Sequence, residues 1–193
     1  MRRNMVLLSF VLFLSLSPAL LAQASYRIKT RTAAELAAEQ SRAVAAWCRL
    51  DYEGLRLRES TWQQRMRPLT TEKTYAEFPS ILIISRYQFE PQENISTVLN
   101  VSYTTVGRYD LGFGYQPEPG QDMVTYRVED KGGDILITDT GSPVPHVSKT
   151  AAVRWMKERL QETQSASEKA QLEEALKALE PKPAAPQPPS ASK

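Results

Sequence analysis

The sequence predicts an α+β domain: N-terminal helices packed on a curved antiparallel sheet of about four strands, followed by a C-terminal helix and a disordered Pro-rich tail. Three observations predict it. Between Thr32 and Leu69 apolar residues recur at steps of three, four and seven, the period of one helix face. From Pro79 to Asp139 the period drops to two, as in strands with one apolar and one polar face. After Ser148 the helical period returns and runs to Pro181. The length of 193 residues suits one domain with extensions, and 41% hydrophobic with 24% charged residues lies in the globular range.

The first 24 residues read as an export signal. Arg2 and Arg3 form a basic start, Met5 to Leu16 an apolar run, and Ala22-Gln23-Ala24 a signal-peptidase pattern with cleavage between Ala24 and Ser25. An apolar run of ~12 residues suits a signal core of ~7–15 better than a span of ~20. The expectation is a soluble exported protein, periplasmic or secreted, with an uncleaved N-terminal anchor as the alternative. Ser25 in place of a cysteine offers no lipid attachment point. No later apolar run is long enough for a membrane span after cleavage.

Charge and residue counts narrow the partners. Arg2 and Arg3 supply the whole excess of 24 Lys+Arg over 22 Asp+Glu, so the exported part is formally neutral. Bulk charge therefore gives no reason to expect nucleic acid or an anionic membrane as partner. Arg56, Arg58, Arg65 and Arg67 cluster, but Glu53, Glu59 and Glu72 interleave with them and no aromatic-basic strand motif follows. One Cys excludes an internal disulfide framework, and one His argues against a His-based metal cluster, so no cofactor or metal is expected. Cys48 reads as a small buried thiol, with a cross-linked homodimer as the alternative.

In chain order, Ser25 to Arg31 is an extended lead-in, and Thr32-Ala33-Ala34-Glu35 has the spacing of a capping box. The helix it opens presents Leu36, Ala43, Trp47 and Leu50 on one face, and Gly54 ends or bends it. Ser60-Thr61-Trp62-Gln63 repeats the capping-box spacing and opens a short stripe of Trp62, Met66 and Leu69 that ends at Pro68 and Thr70-Thr71. Among the strands, Ile81, Ile83, Tyr87 and Phe89 share one parity. Ile95, Leu99, Val101 and Tyr103 alternate with polar residues, as do Val124, Tyr126 and Val128, and a Lys131–Asp134 turn leads into Ile135, Ile137 and Asp139. Such a sheet is expected to be covered on one side. The Gly- and Pro-rich stretch 107–122 reads as a long loop or extended arm. Residues 141–148 form a stiff connector, and Ser148 is expected to cap a helix carrying Ala152, Trp155, Met156 and Leu160. Ser165 to Glu168 opens a further helix with a Leu172, Ala175, Leu176 and Leu179 seam, which packs on the domain or pairs with a partner helix, and Pro181 stops it. The last 13 residues hold five Pro, three Ala and two Ser, a disordered or polyproline-like composition. The expected organisation is a signal at 1–24, a cone-like domain at 25–163, a C-terminal helix at 164–180 and a tail at 181–193.

The stretches Ala46–Gly54, Leu99–Tyr103 and Gly133–Asp139, the last running into Pro143–Ser148, together resemble exported bacterial members of the nuclear transport factor 2-like superfamily. The resemblance covers Thr32 to Leu160 and implies an α+β cone whose strands curl around the first helix. That superfamily includes isomerases, epoxide hydrolases, dehydratases, immunity proteins and plain binding domains, so the implied fold does not choose an activity. The connector and the long C-terminal helix depart from a simple cone.

Tyr87, Tyr103 and Tyr126 fall on the apolar parity of three strands and Asp139 on that of the fourth. With Trp47 and Asp51 on the first helix, they are expected to converge beneath it. Read as a pocket, this makes Trp47, Tyr87, Tyr103 and Tyr126 ligand-binding residues. Read as an active site, it makes Asp51 or Asp139 the acid–base candidates, because a carboxylate walled by apolar groups has a raised pKa. Read as a core, it needs only a partner for each buried hydroxyl, and Asp139 in Asp139-Thr140-Gly141 is a turn former. No residue is assigned as catalytic. A single Asp-Thr-Gly lacks the second carboxylate of an aspartic protease unless two chains pair. His146 has no nucleophile at triad spacing and reads as packed or solvent-facing. The favoured reading is an exported domain that binds a small ligand or an envelope protein without catalysis. The alternatives are an isomerase-, hydrolase- or dehydratase-type enzyme using the carboxylate–tyrosine pocket, and an envelope interaction protein working through its C-terminal helix and tail.

Overall fold

The computed structural model describes residues 31–90 and 94–180. The signal at 1–24 with its Ala24–Ser25 cleavage site, and the tail at 181–193, lie outside the described residues. Helix α1 (Ala33–Tyr52) begins on the expected capping box: Thr32 Oγ1 accepts the Glu35 N–H at 3.2 Å, and Glu35 Oε2 accepts the Thr32 N–H at 2.9 Å. Ala37, Ala43, Val44, Trp47, Cys48, Leu50 and Asp51 are on its buried side. After Gly54, in the left-handed region at φ 79°, the chain makes a tight turn at Leu55–Leu57 and a short helix α2 (Glu59–Thr61). That helix loosens to a π-turn at Trp62–Met66 and closes with a 3₁₀ turn at Arg67–Leu69. The second capping box does not form. The helix starts two residues early, with Arg58 in place of Ser60 at the cap, and Thr61 Oγ1 donates to the Leu55 and Arg58 carbonyls at 2.6 and 3.1 Å. Trp62 and Met66 are nevertheless buried, as their spacing predicts.

The expected antiparallel meander of four strands forms, and a fifth, parallel strand that was not expected makes the sheet mixed. Its order is β4-β3-β2-β1-β5, with β1 (Ser80–Phe89), β2 (Val98–Asp110), β3 (Gly114–Lys131) and β4 (Asp134–Asp139) forming an antiparallel meander. The connector supplies β5 (His146–Ser148), which pairs in parallel with β1. Leu82 N–H donates to the Pro145 carbonyl at 2.9 Å, so the prolines lie just before the strand, where a missing N–H is tolerated. The stretch 107–122 is an arm of the β2–β3 hairpin, paired from Gly107↔Pro117 to Asp110↔Gly114. Its glycines and prolines disguise a strand.

Bulges divide the sheet into two halves that face opposite ways. Register shifts in the β1–β2 ladder fall between Ile83 and Ile84 and between Ile84 and Arg86, which leaves Val106 and Ser85 as the extra residues. Each bulge reverses the side-chain alternation beyond it. Ile84, Tyr87, Leu99, Val101, Tyr103, Val124, Tyr126, Val128 and Ile137 therefore pack with α1, Trp62 and Met66 in one core. Ile81, Ile83, Tyr109 and Val147 pack in a second core with α3 (Lys149–Glu162) and α4 (Ala166–Leu179). The expected single covered face is thus replaced by two faces, each covered along part of the strands. Ser148 Oγ caps α3 by accepting the Ala151 N–H at 3.1 Å, and Ser165 Oγ caps α4 by accepting the Glu168 N–H at 3.3 Å. The α4 seam of Leu172, Ala175, Leu176 and Leu179 is buried in the second core. No helix among the described residues is long and apolar enough to cross a membrane.

Candidate functional site

Of the predicted convergence under α1, Trp47, Tyr103 and Tyr126 come together, and Cys48, expected only as a buried thiol, joins them. Tyr103 and Tyr126 are fully buried with their hydroxyls 2.6 Å apart, and Cys48 Sγ lies 3.3 Å from the Tyr103 hydroxyl. Burial pushes the Cys48 thiol up to about 12 and both phenols upward, so all three groups keep their protons at neutral pH. Trp47 is buried in the same core. Tyr87 stands at the margin, half-buried, with its ring 6.3 Å from that of Tyr103 and 5.6 Å from that of Tyr52.

Asp139 does not join them. A register shift between Arg127 and Val128 places one extra residue, Thr138, between the paired positions Ile137 and Asp139. The bulge turns Asp139 to the exposed side, facing Arg127 at 3.9 Å. Its Oδ1 accepts the Gly141 N–H at 2.8 Å, the turn-forming use of Asp-Thr-Gly.

Asp51 is enclosed. It is 1% exposed, and its Oδ2 accepts the backbone N–H of His146 at 3.0 Å and lies 3.9 Å from Arg56 Nη1. Burial raises its pKa, while Arg56 and the His146 N–H oppose the rise. Arg56 is itself buried, with its guanidinium 5.4 Å from the Trp47 ring centre and 4.7 Å from that of Phe78. Among the described residues Trp47 Nε1, Asp51 Oδ1 and Arg56 Nε have no hydrogen-bond partner. The His146 ring stacks on Tyr103 at 4.1 Å, and its Nε2 lies 3.3 Å from Asp122 Oδ2. His146, Arg56 and Asp122 were not legible as site residues: β5 brings His146 in, and the Tyr103↔Asp122 pairing sets Asp122 beside it. Together these residues form a polar layer between α1, β5 and the sheet, buried except at Asp122. No group of three or more His, Cys, Asp or Glu that could hold a metal occurs among the described residues.

An open concavity lies elsewhere. A groove of about 700 Å³ runs between the segment Leu57–Phe78 and one stripe of α3. Tyr75, Phe78 and Trp155 give it aromatic walls, and Glu59, Glu77, Glu158 and Glu162 outnumber Arg58 and Arg159 among its charges. Both arginines are already engaged, Arg58 with Glu158 and Arg159 with Glu168. Glu59, Glu77 and Glu162 form no ion pair among the described residues, and Glu59 and Glu77 both push the Tyr75 hydroxyl's pKa upward, behind the larger effect of burial. Sequence spacing could not find this groove, because its two walls are far apart in the chain, at Leu57–Phe78 and Trp155–Glu162, and Tyr75 and Phe78 sit outside any periodic element. Comparisons with protein-family models, with curated proteins and with solved structures found no match.

Proposed function

We propose that the protein is an exported, soluble, non-catalytic binding domain of the cell envelope, and that the α2–α3 groove is its working surface, taking a basic peptide segment of a partner. The observation that carries this is the pairing of aromatic walls with three unpaired carboxylates in one open groove of about 700 Å³, a volume within the ~300–1,000 Å³ usual for ligand sites. Aromatic faces attract cations through their negative π-clouds, and carboxylates add Coulombic attraction that water only partly screens. The layer under α1 supports a structural role in the same reading. Its Asp51 carboxylate is 1% exposed, with Oδ2 engaged by His146 N–H and Arg56, so a substrate would have to open the core to reach it. The curled sheet around α1 supports the resemblance to the nuclear transport factor 2-like cone, with the parallel β5 as an addition to it.

The test is fluorescence titration with two labelled peptides, one alternating Lys and Pro and one alternating Glu and Pro. The Lys peptide is expected to bind and the Glu peptide to fail. Trp155→Ala should abolish binding, while Glu77→Gln and Glu162→Gln should each weaken it about two- to fivefold, as exposed charge pairs do. Equal affinity for both peptides, or binding indifferent to Trp155→Ala, would overturn the proposal.

A further inference from the structure

The groove has a matching segment within the same chain. Residues 181–193 read Pro-Lys-Pro-Ala-Ala-Pro-Gln-Pro-Pro-Ser-Ala-Ser-Lys. Pro183, Pro186 and Pro189 recur every third residue, the period of a polyproline II helix, so in that conformation they share one edge. The segment carries two charged side chains, Lys182 and Lys193, both basic. Aromatic-walled grooves recognise Pro-rich segments because prolines pack between rings and the preformed helix loses little entropy on binding. The α2–α3 groove offers those walls at Tyr75, Phe78 and Trp155, with Glu59, Glu77 and Glu162 free to meet a lysine.

The geometry points to an intramolecular occupant: we infer that the segment 181–193 docks into the α2–α3 groove of its own chain and competes there with the partner peptide. Reach permits it. Leu179, two residues before Pro181, is buried in the same core as Ala152 and Met156 of α3. Trp155, on that same helix, lines the groove, and the whole of α3 is about 21 Å long at ~1.5 Å per residue. Thirteen residues in polyproline II span roughly 40 Å at ~3.1 Å each, about twice that length. Tethering gives the tail an effective concentration on the order of millimolar, so even a weak contact is well populated. The tail would thus occupy the groove until a tighter basic segment displaces it. This inference rests on the proposed use of the groove and adds the occupant.

The experiment compares the full chain, the chain ending at Glu180, and a full chain carrying Pro183→Ala, Pro186→Ala and Pro189→Ala. Each is titrated with a labelled peptide of residues 180–193 and, separately, with the Lys–Pro peptide. The expected result is binding of the tail peptide about tenfold or more tighter to the shortened and the proline-substituted chains than to the full chain. Trp155→Ala in the shortened chain should abolish it. If the shortened chain takes the Lys–Pro peptide and ignores the tail peptide, the tail inference fails and the groove stands. If it takes neither, both fail. Equal affinity of the full and shortened chains for the tail peptide also overturns the inference. So does a full-length dimer that truncation renders monomeric, because the occupant is then a second copy's tail.

Discussion

At Tyr103 and Tyr126 two phenol hydroxyls 2.6 Å apart meet in the buried core, beside the Cys48 thiol. Removing one hydroxyl leaves its neighbour with at most the weakly bonding Cys48 thiol, whereas removing both leaves only that thiol among apolar groups. Tyr103→Phe or Tyr126→Phe alone is therefore expected to destabilise the fold by about 1–3 kcal/mol, and the double variant by less than the sum. Urea unfolding of the four chains closes that cycle, and strict additivity would show the hydroxyls to be independent. At Asp51 the issue is charge. Burial raises its pKa above the ordinary 3.8, so the folded state holds this proton more tightly than the unfolded state does. Its contribution to stability is complete below the ordinary value and is lost as pH rises through the raised one. Unfolding free energies measured across that window should fall with pH in the native chain, and Asp51→Asn should flatten the fall. Trp47, Tyr103 and Tyr126 were legible because alternation and helix spacing survive around them. Parity alone misplaces Asp139 on the core face, because one extra residue, Thr138, stands between it and the last core position.

The same error recurs at the scale of elements. Counting parity along β1 groups Ile81 and Ile83 with Tyr87 and Phe89, yet the bulge at Ser85 sends the two pairs into different cores. A bulge has no strong sequence signature here, since Ser85, Val106 and Thr138 are ordinary strand residues. What local chemistry encodes was readable: the Thr32–Glu35 box, the Ser148 and Ser165 caps, and the α3 and α4 seams all form where their spacing places them. The turn between β4 and β5 allows a direct test of a conformation that sequence alone leaves open. Gly141 has φ 60°, and a Cβ there would lie 2.0 Å from the Thr125 carbonyl oxygen. Gly141→Ala is expected to cost ~3 kcal/mol or more, combining left-handed strain with a backbone clash. Gly112→Ala, also in the left-handed region at φ 90° but with nothing within 4 Å, should cost about 1–2 kcal/mol. Thermal melts of both variants separate the clash from the strain.

For the whole molecule, two cores built on shared strands make one cooperative unit. β1 contributes Ile84 to the core under α1, and Ile81 and Ile83 to the core under α3 and α4, so neither core can be lost without disturbing the other. Calorimetric and van't Hoff enthalpies of unfolding are expected to agree. A chain ending at Thr163 loses the burial of Leu172, Leu176 and Leu179, roughly 5–9 kcal/mol, which is comparable to the entire stability of a typical domain. It should show no cooperative melt, and a surviving sharp transition would mean that the α1 core stands alone.

The bulges at Ser85 and Val106 lie side by side, on neighbouring strands. They behave like a dislocation in a crystal, a line across which the pleat changes phase by half a period. Cutting out Ser85 would erase that phase change in β1, so whichever core kept its register, the other would receive polar side chains in place of apolar ones. The chain should therefore tolerate length changes at the Gly112 hairpin tip and almost none along this line. A deletion scan through residues 80–115 would trace the line as a narrow band of lost solubility in the interior of two well-formed strands.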